Sequence, residues 1–331
     1  MGAVAGSLVW LSSRARVGEV SSLVGRFGTL AGAEGWCSAE LGELGLHPST
    51  VAGMASTSSL EWGGEVIYAG EERYPSGLLE LQSVPPVLWC EGDLGLLEEV
   101  GVAVVGSRRC TEYGKRTARG LAAAIAGMNG VVVSGGARGI DEVAHAGAGS
   151  RTIVVLASGL GDPGARRWLR RVREHGGLVI SESPPETPPS RWSFPRRNRL
   201  VAALGRATVV IEAGVRSGSL ITARRALDLG RDLLAVPGRI DAPASIGTNR
   251  LIAEGAQPLL QYGQVAEYFA AGSHPVPRLL RALHCPATIE QASARSGLSR
   301  AALFTWIGTL EAVGVVERVD SGLRYRVATT P

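Results

Sequence analysis

The chain has 331 residues, of which 45 % are hydrophobic and 19 % charged; this excludes wholesale disorder and, at roughly 150 residues per domain, implies about two domains with room for a small third. The formal net charge of +4 conceals a division: residues 1–95 carry 4 basic and 11 acidic side chains, residues 96–271 carry 23 and 15, and residues 272–331 carry 7 and 4. An anionic partner is therefore expected on the central segment, while the 45 glycines, about twice the usual share, follow no triplet period and so exclude a collagen-like rod.

Residues 1–65 read as a small helical domain, with helical patterns broken by Gly and Ser and a short helix-turn-helix around residues 16–28. Residues 74–92 read as an extended connector containing Pro75, Pro85 and Pro86. From residue 102 to about 260, short β-branched runs at 102–105, 131–133, 152–156, 178–180, 208–211 and 233–236 alternate with amphipathic stretches at 115–126, 140–148, 165–175, 197–204 and 219–229. Continuous apolar strands separated by helices predict an α/β fold, a doubly wound Rossmann-like parallel sheet, spanning 66–270. Residues 271–277 carry the composition of a linker. Residues 277–331 read as three helices followed by a hairpin around Asp320-Ser321-Gly322, the outline of a C-terminal winged helix.

Glycine, serine and arginine cluster directly after the strands. Gly106-Ser107-Arg108-Arg109 follows the first, Ser134-Gly135-Gly136-Ala137-Arg138-Gly139 the second, Glu212 to Ser219 the fifth and Pro237-Gly238-Arg239 the sixth. In a parallel sheet the C-terminal strand ends share one edge, so these four loops are expected to converge on one crevice. Each opens or precedes a helix whose free N–H groups favour anions, and arginine adds charge suited to bidentate phosphate contacts. Any α/β sheet needs some glycine in its tight turns; four such loops with polar partners point to phosphate binding. Lys115 is the only lysine among the 34 basic residues, which codon bias also explains.

Phe194-Pro195-Arg196-Arg197-Asn198-Arg199 sets an aromatic face beside three arginines and an amide, the combination that grips single strands by phosphate and base. The arginines of residues 166–173 surround Leu169 and Val172, which are expected to face the sheet, leaving the charges solvated. Familiar catalytic patterns are missing. Gly114-Lys115-Arg116-Thr117 has Arg109 where a phosphate-binding loop needs its leading glycine, and Ser134 stands where the dinucleotide fingerprint needs its first. Asp141 and His145, four apart on one helix, are expected to bond locally and support the loop at 134–139. Cys37, Cys90, Cys110 and Cys285 form no paired motif, as in a reduced cytoplasmic protein. No apolar run reaches membrane-spanning length. No catalytic residue, cofactor or metal site is expected.

The runs Val102 to Arg108, Ser134 to Asp141 with Ala144-His145, Phe194 to Arg199, Arg216 to Ala223, Ala235 to Gly238 and Gly247 to Asn249 resemble the DNA-processing protein A (DprA/Smf) family over about residues 65–260. Gly136, where the family more often has a larger apolar residue, and the short segment 159–166 depart from its pattern. The resemblance implies a non-enzymatic mediator that protects incoming single-stranded DNA, dimerises through its Rossmann-like domain and loads the RecA recombinase in natural transformation. It carries the strand-binding role onto Gly106, Ser107, Arg108, Ser134, Gly135, Gly136, Arg138, Gly139, Phe194, Arg196, Arg197, Asn198, Arg199, Ser217, Gly218 and Ser219. The alternative is a nucleotide-hydrolysing enzyme of phosphoribohydrolase type, in which Glu212 would assist an oxocarbenium-like state.

Overall fold

A computed structural model of the chain describes residues 64–69, 71–270, 288–296, 307, 316–319 and 324–327. The expected helical domain at 1–65 lies almost wholly outside the described residues. The chain divides into two units, Met1–Tyr268 and Phe269–Pro331.

In the first unit the strands are β1 (Glu65–Tyr68), β2 (Val87–Gly92), β3 (Gly101–Val105), β4 (Val131–Gly135), β5 (Thr152–Val155), β6 (Leu178–Ser181), β7 (Ala207–Val210), β8 (Asp232–Ala235) and β9 (Gln257–Pro258). They form one sheet in the order β1-β2-β6-β5-β4-β3-β7-β8-β9. Every residue of β3 and β4 is buried, as strands covered on both faces must be. The helices are α1 (Glu112–Gly127), α2 (Ile140–Ala148), α3 (Arg166–His175), α4 (Ser193–Leu204), α5 (Ser219–Asp228) and α6 (Ile246–Ala253). Thr111 caps α1 by accepting from the Gly114 N–H at 3.2 Å. The helix stops where Asn129 turns left-handed and Gly130 N–H returns to the Ile125 carbonyl at 3.0 Å.

β4, β5 and β6 lie successively to one side of β3, and β7, β8 and β9 to the other. The chain thus reverses its winding between β3 and β7, and the loops after these two strands must part there to leave a crevice. The six strands β3 to β8 lie within two residues of the sequence expectation at each end. The sheet itself is mixed: β2 pairs antiparallel with both β1 and β6, with Trp89 opposite Ser181. Residues 87–92, read as the end of a connector, are a strand because Val87, Leu88, Trp89 and Cys90 are all buried. Pro85 and Pro86 sit just before it, where a proline leaves the ladder intact. Among the described residues no helix is long and apolar enough to cross a membrane.

In the second unit, the helix Ile289–Ser296 begins with a reciprocal cap: Gln291 N–H donates to Thr288 Oγ1 at 3.3 Å, and Thr288 N–H donates to Gln291 Oε1 at 3.0 Å. β10 (Val316–Val319) and β11 (Arg324–Val327) form an antiparallel hairpin. The remaining elements of the expected winged helix lie outside the described residues.

The segment between β1 and β2 is anchored by Tyr74, 2 % exposed, whose hydroxyl donates to the Pro85 carbonyl at 2.5 Å. Replacing Tyr74 by Phe leaves that buried carbonyl without its donor. Chemical denaturation of the Tyr74→Phe protein is expected to show a loss of about 1–3 kcal/mol.

Candidate functional site

Three loops at the winding reversal are tied to one another by main-chain bonds. Ser107 N–H, after β3, donates to the Glu212 carbonyl after β7 at 2.8 Å, and Ile140 N–H, after β4, donates to the Ser107 carbonyl at 3.2 Å. Gly139 makes this approach possible: its φ is +86°, and a side chain there would overlap the Ser107 carbonyl. The loops and the start of α4 enclose a crevice of about 710 Å³. Its wall includes Gly106, Ser107, Arg108, Gly135, Phe194, Arg197, Asn198, Ser217, Gly218 and Ser219. Six of the expected residues are not in that wall: Ser134, Gly136, Arg138, Gly139, Arg196 and Arg199. The loop Pro237-Gly238-Arg239 does not reach the crevice either. Asn249 on α6 holds Gly238 through bonds of 3.0 and 2.9 Å, and Arg239 turns to Asp241.

The arginines of the Phe194–Arg199 run separate into two groups. Arg197 is only 5 % exposed; its guanidinium lies under Gly135, bonded to the Val155 carbonyl, and its Nε–H donates to Asn198 Oδ1 at 3.1 Å. A Cβ at residue 135 would overlap that guanidinium, so a side chain there would have to displace the arginine. Arg197 therefore charges the crevice floor from below instead of reaching out to grip a phosphate. Asn198 is held on its other side, where Nδ2 donates to the Gly218 carbonyl at 3.3 Å. Arg199 points elsewhere, to Glu182 and the Ser83 carbonyl, and Arg196 meets the same Glu182 carboxylate at 3.3 Å. These two arginines join α4 to the segment after β6 and to the connector before β2.

Other expected residues support the site from outside its wall. Ser134 Oγ is buried and donates to the Val104 carbonyl at 2.6 Å. Gly136 offers its carbonyl to Arg167 at 2.7 Å, and α3 also sends Arg171 to the His145 carbonyl at 2.6 Å. Those two side chains, expected to be merely solvated, brace the loop after β4. His145 bridges Gly135 O at 2.9 Å and Thr152 Oγ1 at 2.7 Å, the local support expected of it. Burial holds its pKa down to about 3, so the ring is neutral. Glu212 also has a structural position: its carboxylate accepts from Thr111 N–H at 2.8 Å and from Thr111 Oγ–H, which ties it to the start of α1.

Four further charged wall residues emerge from the structure: Arg109, Arg191, Arg216 and Asp141. Arg109 and Arg216 were visible in the glycine loops. Arg191 had no signal beyond its closeness to Phe194. The wall thus carries five guanidiniums, those of Arg108, Arg109, Arg191, Arg197 and Arg216, against the single carboxylate of Asp141. Phe194 offers a ring, and the Arg108 guanidinium lies 5.1 Å from its centroid. Burial raises the Asp141 carboxyl to about 6, and the neighbouring Arg197 and Arg108 limit the rise. The result is a positively charged slot with one aromatic face, suited to a phosphate-bearing ligand with flat bases.

Residues 65–270 match the family described as DNA recombination-mediator protein A. Protein Smf of Escherichia coli (strain K12) is 40 % identical over 230 residues, covering 66 % of this chain and 62 % of that protein, less than two thirds of its length. The X-ray structure of DNA processing protein A from Streptococcus pneumoniae superposes with a TM-score of 0.67 at 30 % identity, covering 78 % of this chain and 95 % of that one. A Helicobacter pylori DNA processing protein A structure, described for its single-stranded DNA binding mode, gives a TM-score of 0.57 at 31 % identity, covering 63 % and 97 %.

The raised pKa of Asp141 has a definite sign for stability. The folded chain holds this proton more tightly than the unfolded chain, so the stabilisation is complete below about pH 4 and lost as pH rises through about 6. Asp141→Asn is expected to match the wild type near pH 4 and to exceed it near pH 7.5, by at most about 3 kcal/mol. Denaturant titrations of both proteins at the two pH values measure the difference.

Proposed function

The chain belongs to the DNA recombination-mediator protein A family, and from that premise we propose that it binds single-stranded DNA in the crevice between β3 and β7 and delivers it to the RecA recombinase. The coarse activity, DNA processing in recombination, is that of the family. The observation that carries the strand-binding reading is the charge of the crevice wall, five guanidiniums to one carboxylate around the ring of Phe194. Phosphates of a flexible strand meet the exposed guanidiniums of Arg108, Arg109 and Arg216 while a base lies on Phe194. Contacts to phosphates and to the flat face of a base need no base identity, so binding is expected to be sequence-tolerant.

A crevice about 710 Å³ in volume with bases splayed onto a ring suits a single strand better than a stacked duplex. The H. pylori relative, described as binding single-stranded DNA, supports the same choice. Delivery to RecA, and assembly of two copies through the Rossmann-like domain, follow from the resemblance and form part of the proposal. The hydrolase alternative asked for Glu212 to assist an oxocarbenium-like state; that side chain is engaged with Thr111.

Arg108 and Arg216 are exposed, so removing them leaves the core intact. The Arg108→Ala/Arg216→Ala protein is expected to bind a dT oligonucleotide at least about tenfold more weakly. Its salt dependence, plotted as log affinity against log salt, should flatten by about 1.4, since each lost contact on a single strand removes about 0.7. Fluorescence anisotropy at several salt concentrations reads both quantities.

A further inference from the structure

Beside the crevice stands an aromatic side chain that the wall does not contain. Trp192 is 70 % exposed, although burial of an indole is strongly favourable. The Arg191 guanidinium lies 4.7 Å from the centroid of its ring, and Arg191 itself belongs to the crevice wall. This repeats the arrangement of Arg108 on Phe194, at 5.1 Å. One arginine thus connects the crevice to a second arginine–aromatic pair just outside it.

The segment that presents Trp192 is fixed in place. Ser190 N–H donates to Ser193 Oγ at 3.0 Å and Ser193 N–H donates to Ser190 Oγ at 3.2 Å, while Ser193 Oγ–H returns to the Ser190 carbonyl at 2.9 Å. This reciprocal serine pair brackets Arg191 and Trp192 in the turn that leads into α4. The first turn of α4 contains no acidic residue, so nothing in that turn repels a phosphate. A large ring is thereby held in water at small entropic cost, beside a cation and next to a positively charged slot. Those are the features of a stacking platform for a base.

We propose that Trp192, with Arg191 stacked on it, is a second base-stacking subsite that receives the strand where it leaves the crevice. The proposal rests on the strand-binding reading of the crevice and extends the footprint by at least one nucleotide. Bases in the crevice stack on Phe194; the next base outside stacks on the open face of Trp192, and Arg191 meets the phosphate between them. Because every base has a flat face, this subsite adds affinity without adding sequence preference.

The test compares full-length wild type, Trp192→Ala and Trp192→Phe with dT oligonucleotides of about 4 and about 12 nucleotides, bracketing the usual footprint of one domain. Trp192→Ala is expected to lose between about fivefold and about a hundredfold in affinity for the longer strand, the value of one base on one ring. It should match the wild type on the shorter strand, and Trp192→Phe should recover most of the loss. Equal affinities of wild type and Trp192→Ala at both lengths would overturn the subsite and leave the crevice reading standing. Equal losses at both lengths would overturn it too, because Trp192 would then act through the crevice. Unchanged affinities with altered self-association in sedimentation would assign the ring to a second copy of the chain, against the proposal. If the wild type binds neither oligonucleotide, the strand-binding reading itself fails.

Discussion

The guanidinium of Arg197, set under the backbone of Gly135 and bonded to the Val155 carbonyl, is the centre around which the crevice is organised. A buried cation carries a desolvation penalty of several kcal/mol unless its donors find partners. Here the strand end of β5, the amide of Asn198 and the nearby charge of Asp141 supply them. Each of those partners constrains something else. A side chain at residue 135 would have to displace the guanidinium, α2 must bring Asp141 into the wall, and Asn198 must reach back toward the loop after β7. A charge held in this place acts through protein instead of water, so its field at the crevice floor is screened less than that of a surface arginine.

The run Phe194 to Arg199 shows why side chains adjacent in sequence need not act together. Phe194, Arg197 and Asn198 stand three and four positions apart, on one helical face, and that face meets the crevice. Arg196 and Arg199, also three apart, share another face and share Glu182. In the sequence, the run from Phe194 to Arg199 opens a helix whose amphipathic stretch covers 197–204, and all three arginines look alike. The structure begins α4 at Ser193, and the helical period then sorts them. The missing signal was local: Ser190 and Ser193 bond reciprocally in the turn that leads into the helix.

Much of the architecture was legible because buried parallel strands leave continuous apolar runs, and all six between residues 101 and 236 lie within two residues of those runs. The location of the crevice followed from topology, since glycine and arginine after β3, β4 and β7 must meet at one edge. Two readings missed for physical reasons. Strand β2 follows two prolines, whose turn-like character masked the buried run Val87 to Cys90. The loop after β8 has the composition of its neighbours, yet Asn249, eleven residues away, fastens Gly238 to α6. The bracing of Gly136 and His145 by Arg167 and Arg171 was equally hidden, because a side chain bonded to a distant carbonyl leaves no pattern in spacing.

The main-chain bonds that join Ser107 to Glu212 and Ile140 to Ser107 bear on time as well as shape. Walls sewn together through their own backbones hold the same outline whether empty or filled, and filling them calls for no slow rearrangement. For the single strand proposed as the ligand, the rate of capture would then be set by encounter, hastened by the field of the arginines. The lifetime of the complex is the sum of many small attachments that can be surrendered one nucleotide at a time. Such a holder seizes quickly and yields gradually, a kinetic character suited to passing a strand from one grip to another.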